Sequence, residues 1–236
     1  MLANIKQIAG IDNAHMYFAA EDIPVFYHFK NENLMQFKIS YWLKSLLNVD
    51  EFQHKDIEDI SIPSHILDIA KEIYDHFEEV SSTEIWTDET ILSTIKQIKF
   101  YWDAGFFKLK ETTFAILDDL GDIINIIKKN CDLGYKFSKG NMSNKTHTFY
   151  FSDLMIGNNA ILAKADQRMS SFISYSTFNF METGNIHFNQ QNELWLNNII
   201  SKSTLISTVA EKQRNQFFKN IQRKLKELRE YIENSE

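Results

Sequence analysis

Between residues 91 and 127 the chain places Ile91, Ile95, Ile98, Trp102, Phe106, Leu109, Thr113, Ile116, Leu120, Ile123 and Ile127 at steps of three or four, and ten of these eleven positions are apolar. That spacing repeatedly returns to one side of an α-helix. Unbroken, it makes a helix about 60 Å long at 1.5 Å per residue. Gly105 and Gly121 are the two points where it can bend or divide into a kinked pair. Leu92, Phe100, Phe107, Phe114 and Leu117 widen the stripe beyond a two-stranded seam, so burial against several neighbours is expected.

A second long pattern closes the chain. From Asn192 onward, Trp195, Ile199, Ile206 and Val209 precede Phe218, Ile221, Leu225, Leu228 and Ile232, and the last five form a short heptad seam. The Ser/Thr-rich stretch from Ser201 to Thr208 is where this helix can break. The seam predicts a coiled-coil contact and a homodimer. With only 7 Gly and 2 Pro in 236 residues, long regular elements are favoured over a turn-rich β design.

The other segments read as smaller units. Ile23, Val25, Tyr27 and Phe29, then a polar turn at Lys30 to Asn33, then Met35, Phe37, Ile39 and Tyr41 alternate with period two and predict a β-hairpin. His15 to Ala20 adds a third strand, and Trp42 to Leu47 a short helix. Ser64 caps an amphipathic helix running to Val80, and Ser81 to Thr87 reads as a connection. A strand at Thr146 to Phe151, a helix from Ser152 through Met169 and a second small hairpin across residues 178–188 complete the pass. The expected fold is α+β and predominantly α-helical. Its units are a hairpin unit at 1–62, a helical core at 63–135, a mixed α/β insertion at 136–190 and a long C-terminal amphipathic helix at 191–236, within one compact domain.

Composition narrows location more than activity. The opening MLANIKQIAGI is interrupted by Asn4, Lys6 and Gln7 and lacks the apolar core of a secretory signal. No apolar run approaches the roughly 18 to 20 residues needed to cross a bilayer. The single Cys131 makes no internal disulfide and suits a reducing compartment. These features predict a cytoplasmic protein. An Ile/Lys/Asn/Phe bias fits an AT-rich coding source, bacterial or phage.

The net charge is −7, yet Glu211 to Arg229 holds seven basic and two acidic residues, a local +5 that leaves −12 for the remainder. Lys219, Arg223, Lys226 and Arg229 can face outward together, either flanking a protein partner or contacting phosphates. Phosphate loops, nucleophile elbows, His-Glu-x-x-His and paired-cysteine patterns are absent from the sequence.

One constellation points to catalysis. Asp22 precedes one arm of the first hairpin, and Gln36-Phe37-Lys38 lies on the other. The arrangement resembles the PD-(D/E)xK nuclease core, with Gln36 standing where that family has an acid. The resemblance implies a metal-dependent nuclease in which Asp22, Gln36 and Lys38 surround magnesium or manganese and orient the attacking water. No other feature implies a cofactor. The leading expectation is a non-enzymatic interaction or regulatory protein acting through helical surfaces. Nucleic-acid binding through the basic helix and the nuclease are the alternatives.

Overall fold

The computed structural model describes residues 7–8, 10–23, 31–47, 54–62, 64, 68, 80–132, 147–154, 156–157, 159–174, 180–207 and 211–235. Seven strands form one sheet: β1 (His15–Ala20), β2 (Ser81–Trp86), β3 (His147–Phe151), β4 (Asn159–Ala165), β5 (Arg168–Ser174), β6 (Phe180–Thr183) and β7 (Thr204–Leu205). Their order is β6-β5-β4-β1-β2-β3-β7. β1, β2 and β3 are parallel, and the outer pairings are antiparallel. Among the described residues five long helices accompany them: α1 (Glu32–Leu47), α2 (Asp88–Asp103), α3 (Lys110–Asp132), α4 (Ile186–Lys202) and α5 (Glu211–Glu233). The molecule is therefore mixed α/β around a central sheet, which corrects the expectation of a mainly helical protein with two small hairpins. Each of the four segments separated in the sequence contributes a strand to this single sheet.

Alternation along β2 sets the layers. Ile85 and Trp86 are consecutive, so they point to opposite faces. Trp86, with Phe149 of β3, joins a core built from α1, α2, α3 and α5, including Phe37, Ile98, Leu120, Phe218 and Ile232. Ile85 joins Ala19 and Leu162 beneath Leu196 and Ile199 of α4. Four helices thus cover one face, and α4 packs on the other. Parallel strands need crossover connections, and α1 lies on the first of these while α2 and α3 fill the second.

Several expected elements change identity. Residues 32–47 form α1 and not the second arm of a hairpin, while the first arm falls almost wholly on residues outside the described set. Leu34, Phe37, Lys38, Ile39, Ser40 and Lys44 are all buried, so burial on several sides of α1 erases its 3.6-residue signature and leaves a chance alternation. The helix expected at 152–169 is the β4–β5 hairpin. Its two-residue turn carries Asp166 at a φ of 53°, as tight hairpins require. The second hairpin dissolves too: β6 is a strand, but Asn185 caps α4 by accepting a hydrogen bond from the Phe188 N–H at 3.1 Å. Ser81 to Trp86, read as a connection, is the central parallel strand β2. The helix expected at 64–80 falls almost wholly on residues outside the described set; of those described, Ser64 and Asp68 are helical.

Other expectations hold. β1 and β3 lie where their apolar runs placed them. The long stripe divides at Gly105, whose φ of +73° ends α2 as Phe106 N–H returns to Tyr101 O at 3.0 Å. α3 continues through Gly121. At the start of α2, Thr90 Oγ accepts from Thr87 N–H and donates to Ala20 O, fastening the helix to the end of β1. Among the described residues no helix is long and apolar enough to cross a membrane.

Candidate functional site

The chain leaves β1 at Ala20, and two residues later Asp22 turns toward the helical layer. The Lys38 ammonium on α1 reaches both Asp22 oxygens, at 2.7 and 2.9 Å, and donates a third bond to Gln97 Oε1 of α2 at 2.7 Å. All three ammonium protons are thereby used. Asp22 Oδ1 also accepts from Ile23 N–H at 2.9 Å, Thr94 Oγ1 at 3.0 Å and Ser93 Oγ at 3.2 Å. Lys38 is 1% exposed. Its burial lowers the ammonium pKa below the ordinary lysine range, against the pull of Asp22.

Asp22 and Lys38 therefore meet, but through a helix, and Gln36 does not join them. Residues two apart on a helix lie on opposite sides. The Gln36 amide instead donates to Ile60 O and Ser40 Oγ. The acid-x-Lys strand geometry of the nuclease resemblance is accordingly replaced by a saturated link between β1, α1 and α2. Among the described residues no group of three or more His, Cys, Asp and Glu side chains is arranged to hold a metal ion.

The seam residues of α5 face inward. Phe218, Ile221, Leu228 and Ile232 are buried in the chain's own core and Leu225 packs against it, over α2 and α3. The heptad seam thus packs within the chain's own core. Of the four basic residues, Arg229 pairs with Asp118 of α3 and lies over the Phe114 ring. Arg223 shares Glu227 with Lys224, and Lys226 pairs with Glu230 at 3.5 Å. Lys219 borders a shallow groove with Asn215, Gln216 and Asn220. On the described part of α5, ten side chains are exposed and six are charged, three of each sign. The exposed charges on the described part of α5 therefore cancel.

α4 differs. Its exposed residues are Ile186, His187, Gln190, Gln191, Leu194, Asn197, Asn198, Ser201 and Lys202, so one of nine carries a formal charge. Leu194 is 62% exposed at its centre. Beneath it, Asn189 Nδ2 donates to Met169 O at 2.8 Å and Asn192 Nδ2 to Ser171 Oγ at 2.9 Å, fixing the helix on β5. Glu193 is tied to Lys164 of β4 at 2.6 Å. The sequence reading divides these residues between a hairpin and a helix starting at Asn192, so their common surface goes unmarked. The signal that was available is the scarcity of charge from Ile186 to Ser201, where Glu193 is the sole acid and no Lys or Arg occurs.

These features define a mixed α/β protein with a locked polar link inside and a sparsely charged helix outside. No protein family, curated protein or solved structure matches the chain.

Proposed function

We propose that this chain is a non-enzymatic, cytosolic interaction protein of bacterial or phage origin that engages a protein partner through the outer face of α4. One observation carries the reading: a helix surface with one formal charge among nine exposed residues and a 62% exposed leucine at its centre. Depletion of charge, more than bulk hydrophobicity, marks the core of a protein–protein contact. A fully solvated helix resembles α5, on which most exposed side chains are ionic.

Two further features favour this reading over the alternatives. Asp22 and Lys38, the best-placed catalytic pair, spend their hydrogen-bonding capacity on each other and on α2. Among the described α5 cations that nucleic acid would need, Arg223, Lys224, Lys226 and Arg229 are matched by Glu227, Glu230 and Asp118.

The test is site-specific photo-crosslinking in cells. A photoreactive side chain at position 194 is expected to give a discrete protein adduct, whereas one at position 226 on α5 gives none. Absence of any adduct from position 194 overturns the reading, as does an equal yield from both positions.

A further inference from the structure

The face of the sheet beneath α4 is divided by chemistry. Ala19, Ile85 and Leu162 meet Leu196 and Ile199 of α4 in an apolar cluster, with Tyr150 packed against it. Side chains two apart on a strand share a face. His15, Tyr17, Thr83, Thr148 and Lys164 therefore lie on this same side, and all five carry hydrogen-bonding groups. They adjoin across the ladders: Tyr17 stands opposite Thr83, Thr83 opposite Thr148, and His15 opposite Lys164. Strands in the centre of an α/β sheet ordinarily continue apolar on both faces. This strip does not.

α4 gives the strip a wall. Glu193 and Asn197, one turn apart, share one flank of the helix, and Glu193 Oε1 accepts from Lys164 Nζ at 2.6 Å. The Lys164 and Glu193 side chains remain 39% and 21% accessible. On the floor, His15 Nε2 lies 2.9 Å from Thr83 Oγ1, and the His15 and Tyr17 rings are 4.7 Å apart and tilted by 54°. Both rings are half-buried, so each presents an edge to solvent.

Charge balance selects the class of ligand. Lys164 and Glu193 cancel, and burial beside Lys164 keeps His15 neutral at pH 7. An anion would meet Glu193 in a chain of net charge −7, and a cation would meet Lys164. An apolar molecule would desolvate the ion pair without replacing its hydrogen bonds. A hydroxyl both donates and accepts. Two adjacent hydroxyls therefore match the pair, one donating to Glu193 and the other accepting from Lys164, while the rings cover a carbon–hydrogen face.

We propose that the corner between α4 and the amino ends of β1, β2 and β3 binds a sugar, its vicinal diol held by Lys164 and Glu193 and its carbon face by Tyr17 and His15. The site lies on the sheet side of α4 and is independent of the outer face around Leu194.

NMR of the full chain, labelled in its histidine and tyrosine rings, tests this with the methyl glycosides of glucose, galactose, mannose and ribose. At least one is expected to shift the His15 and Tyr17 resonances saturably, whereas inorganic phosphate and putrescine shift neither. Glu193→Gln and Lys164→Met each weaken binding about tenfold, as expected for loss of one charge-assisted hydrogen bond. Lys226→Glu on α5 leaves it unchanged. Unaltered melting of each variant shows that the fold is intact; should either lose its fold, Tyr17→Phe, which removes only a hydroxyl, carries the test with a loss of about threefold. Absence of a saturable shift from all four glycosides overturns the proposal, as does a response that Glu193→Gln and Tyr17→Phe both leave unchanged. Tighter binding of phosphate at the same resonances assigns the corner to anions and overturns it as well.

Discussion

Lys38 of α1 holds Asp22, two residues beyond β1, in a two-pronged bond of 2.7 and 2.9 Å inside the protein. The two partners are unequally buried, with 2% of the Lys38 side chain and 27% of the Asp22 side chain accessible. Removing the acid therefore strands the deeper charge. Asp22→Ala is expected to destabilise by about 3–5 kcal/mol, as when a buried ion loses its counter-charge. Lys38→Met is expected to cost less, about 1–3 kcal/mol, since Asp22 keeps its bonds from Ile23, Ser93 and Thr94. The double variant should lose well under the sum, and urea unfolding of the three variants measures that coupling. A nuclease centred on these residues would behave otherwise, losing magnesium- or manganese-dependent cleavage with its melting temperature unchanged.

Thr113 sits fully buried in α3, and its hydroxyl has no hydrogen-bond partner. Thr113→Val keeps the branched shape and deletes a group whose desolvation is uncompensated. A gain of about 1 kcal/mol is expected, read as a higher urea midpoint at constant m-value.

His15 of β1 bonds Thr83 Oγ1 of β2 at 2.9 Å and stands opposite Lys164 of β4. Burial, then the nearby Lys164 charge, lowers its pKa below 6.5. The unfolded chain accepts the proton more readily than the folded one. Stability therefore falls as pH drops from 6.5 through the folded-state value. His15→Gln, which can still reach Thr83, should show less loss of melting temperature across that acid window than the wild type, with little difference above pH 7.

Phe218 and Ile232 separate the two uses of the α5 stripe. Both are buried in the chain's own core, so Phe218→Ala is expected to cost about 3–5 kcal/mol and Ile232→Ala about 2–5 kcal/mol. Neither should change the solution mass of the protein that remains folded. A change in mass at unchanged stability would return these residues to an intermolecular seam.

The strands that sequence exposes are those with apolar side chains on both faces. β1 carries Met16, Tyr17 and Phe18 in succession, and β3 carries Phe149, Tyr150 and Phe151, so each reads as a strand from its own residues. β2 is as buried as its neighbours, yet begins with Ser81, Ser82 and Thr83 and includes Glu84. Those polar groups have partners, as when Thr83 meets His15 of β1 and Glu84 accepts from Trp86 Nε1 two residues along the same strand. The Ala, Leu and Lys residues of β4 prefer helix locally and become strand through pairing with β1 and β5. The same division applies to the candidate site. The approach of Asp22 to Lys38 was legible as residue chemistry, although carried by the wrong element. The α4 surface was not legible, because an outer face with little charge over a base containing Asn189 and Asn192 blurs the contrast that identifies an amphipathic helix.

The placement of α5 over α2 and α3 also governs how the protein is born. The stripes ending near Ile127 leave the ribosome about 90 residues before Phe217, roughly 5–20 seconds earlier at usual elongation rates. Through that interval the nascent chain displays a sticky helical surface whose cover has yet to be synthesised. A pause after Asp132 is expected to lengthen that exposure.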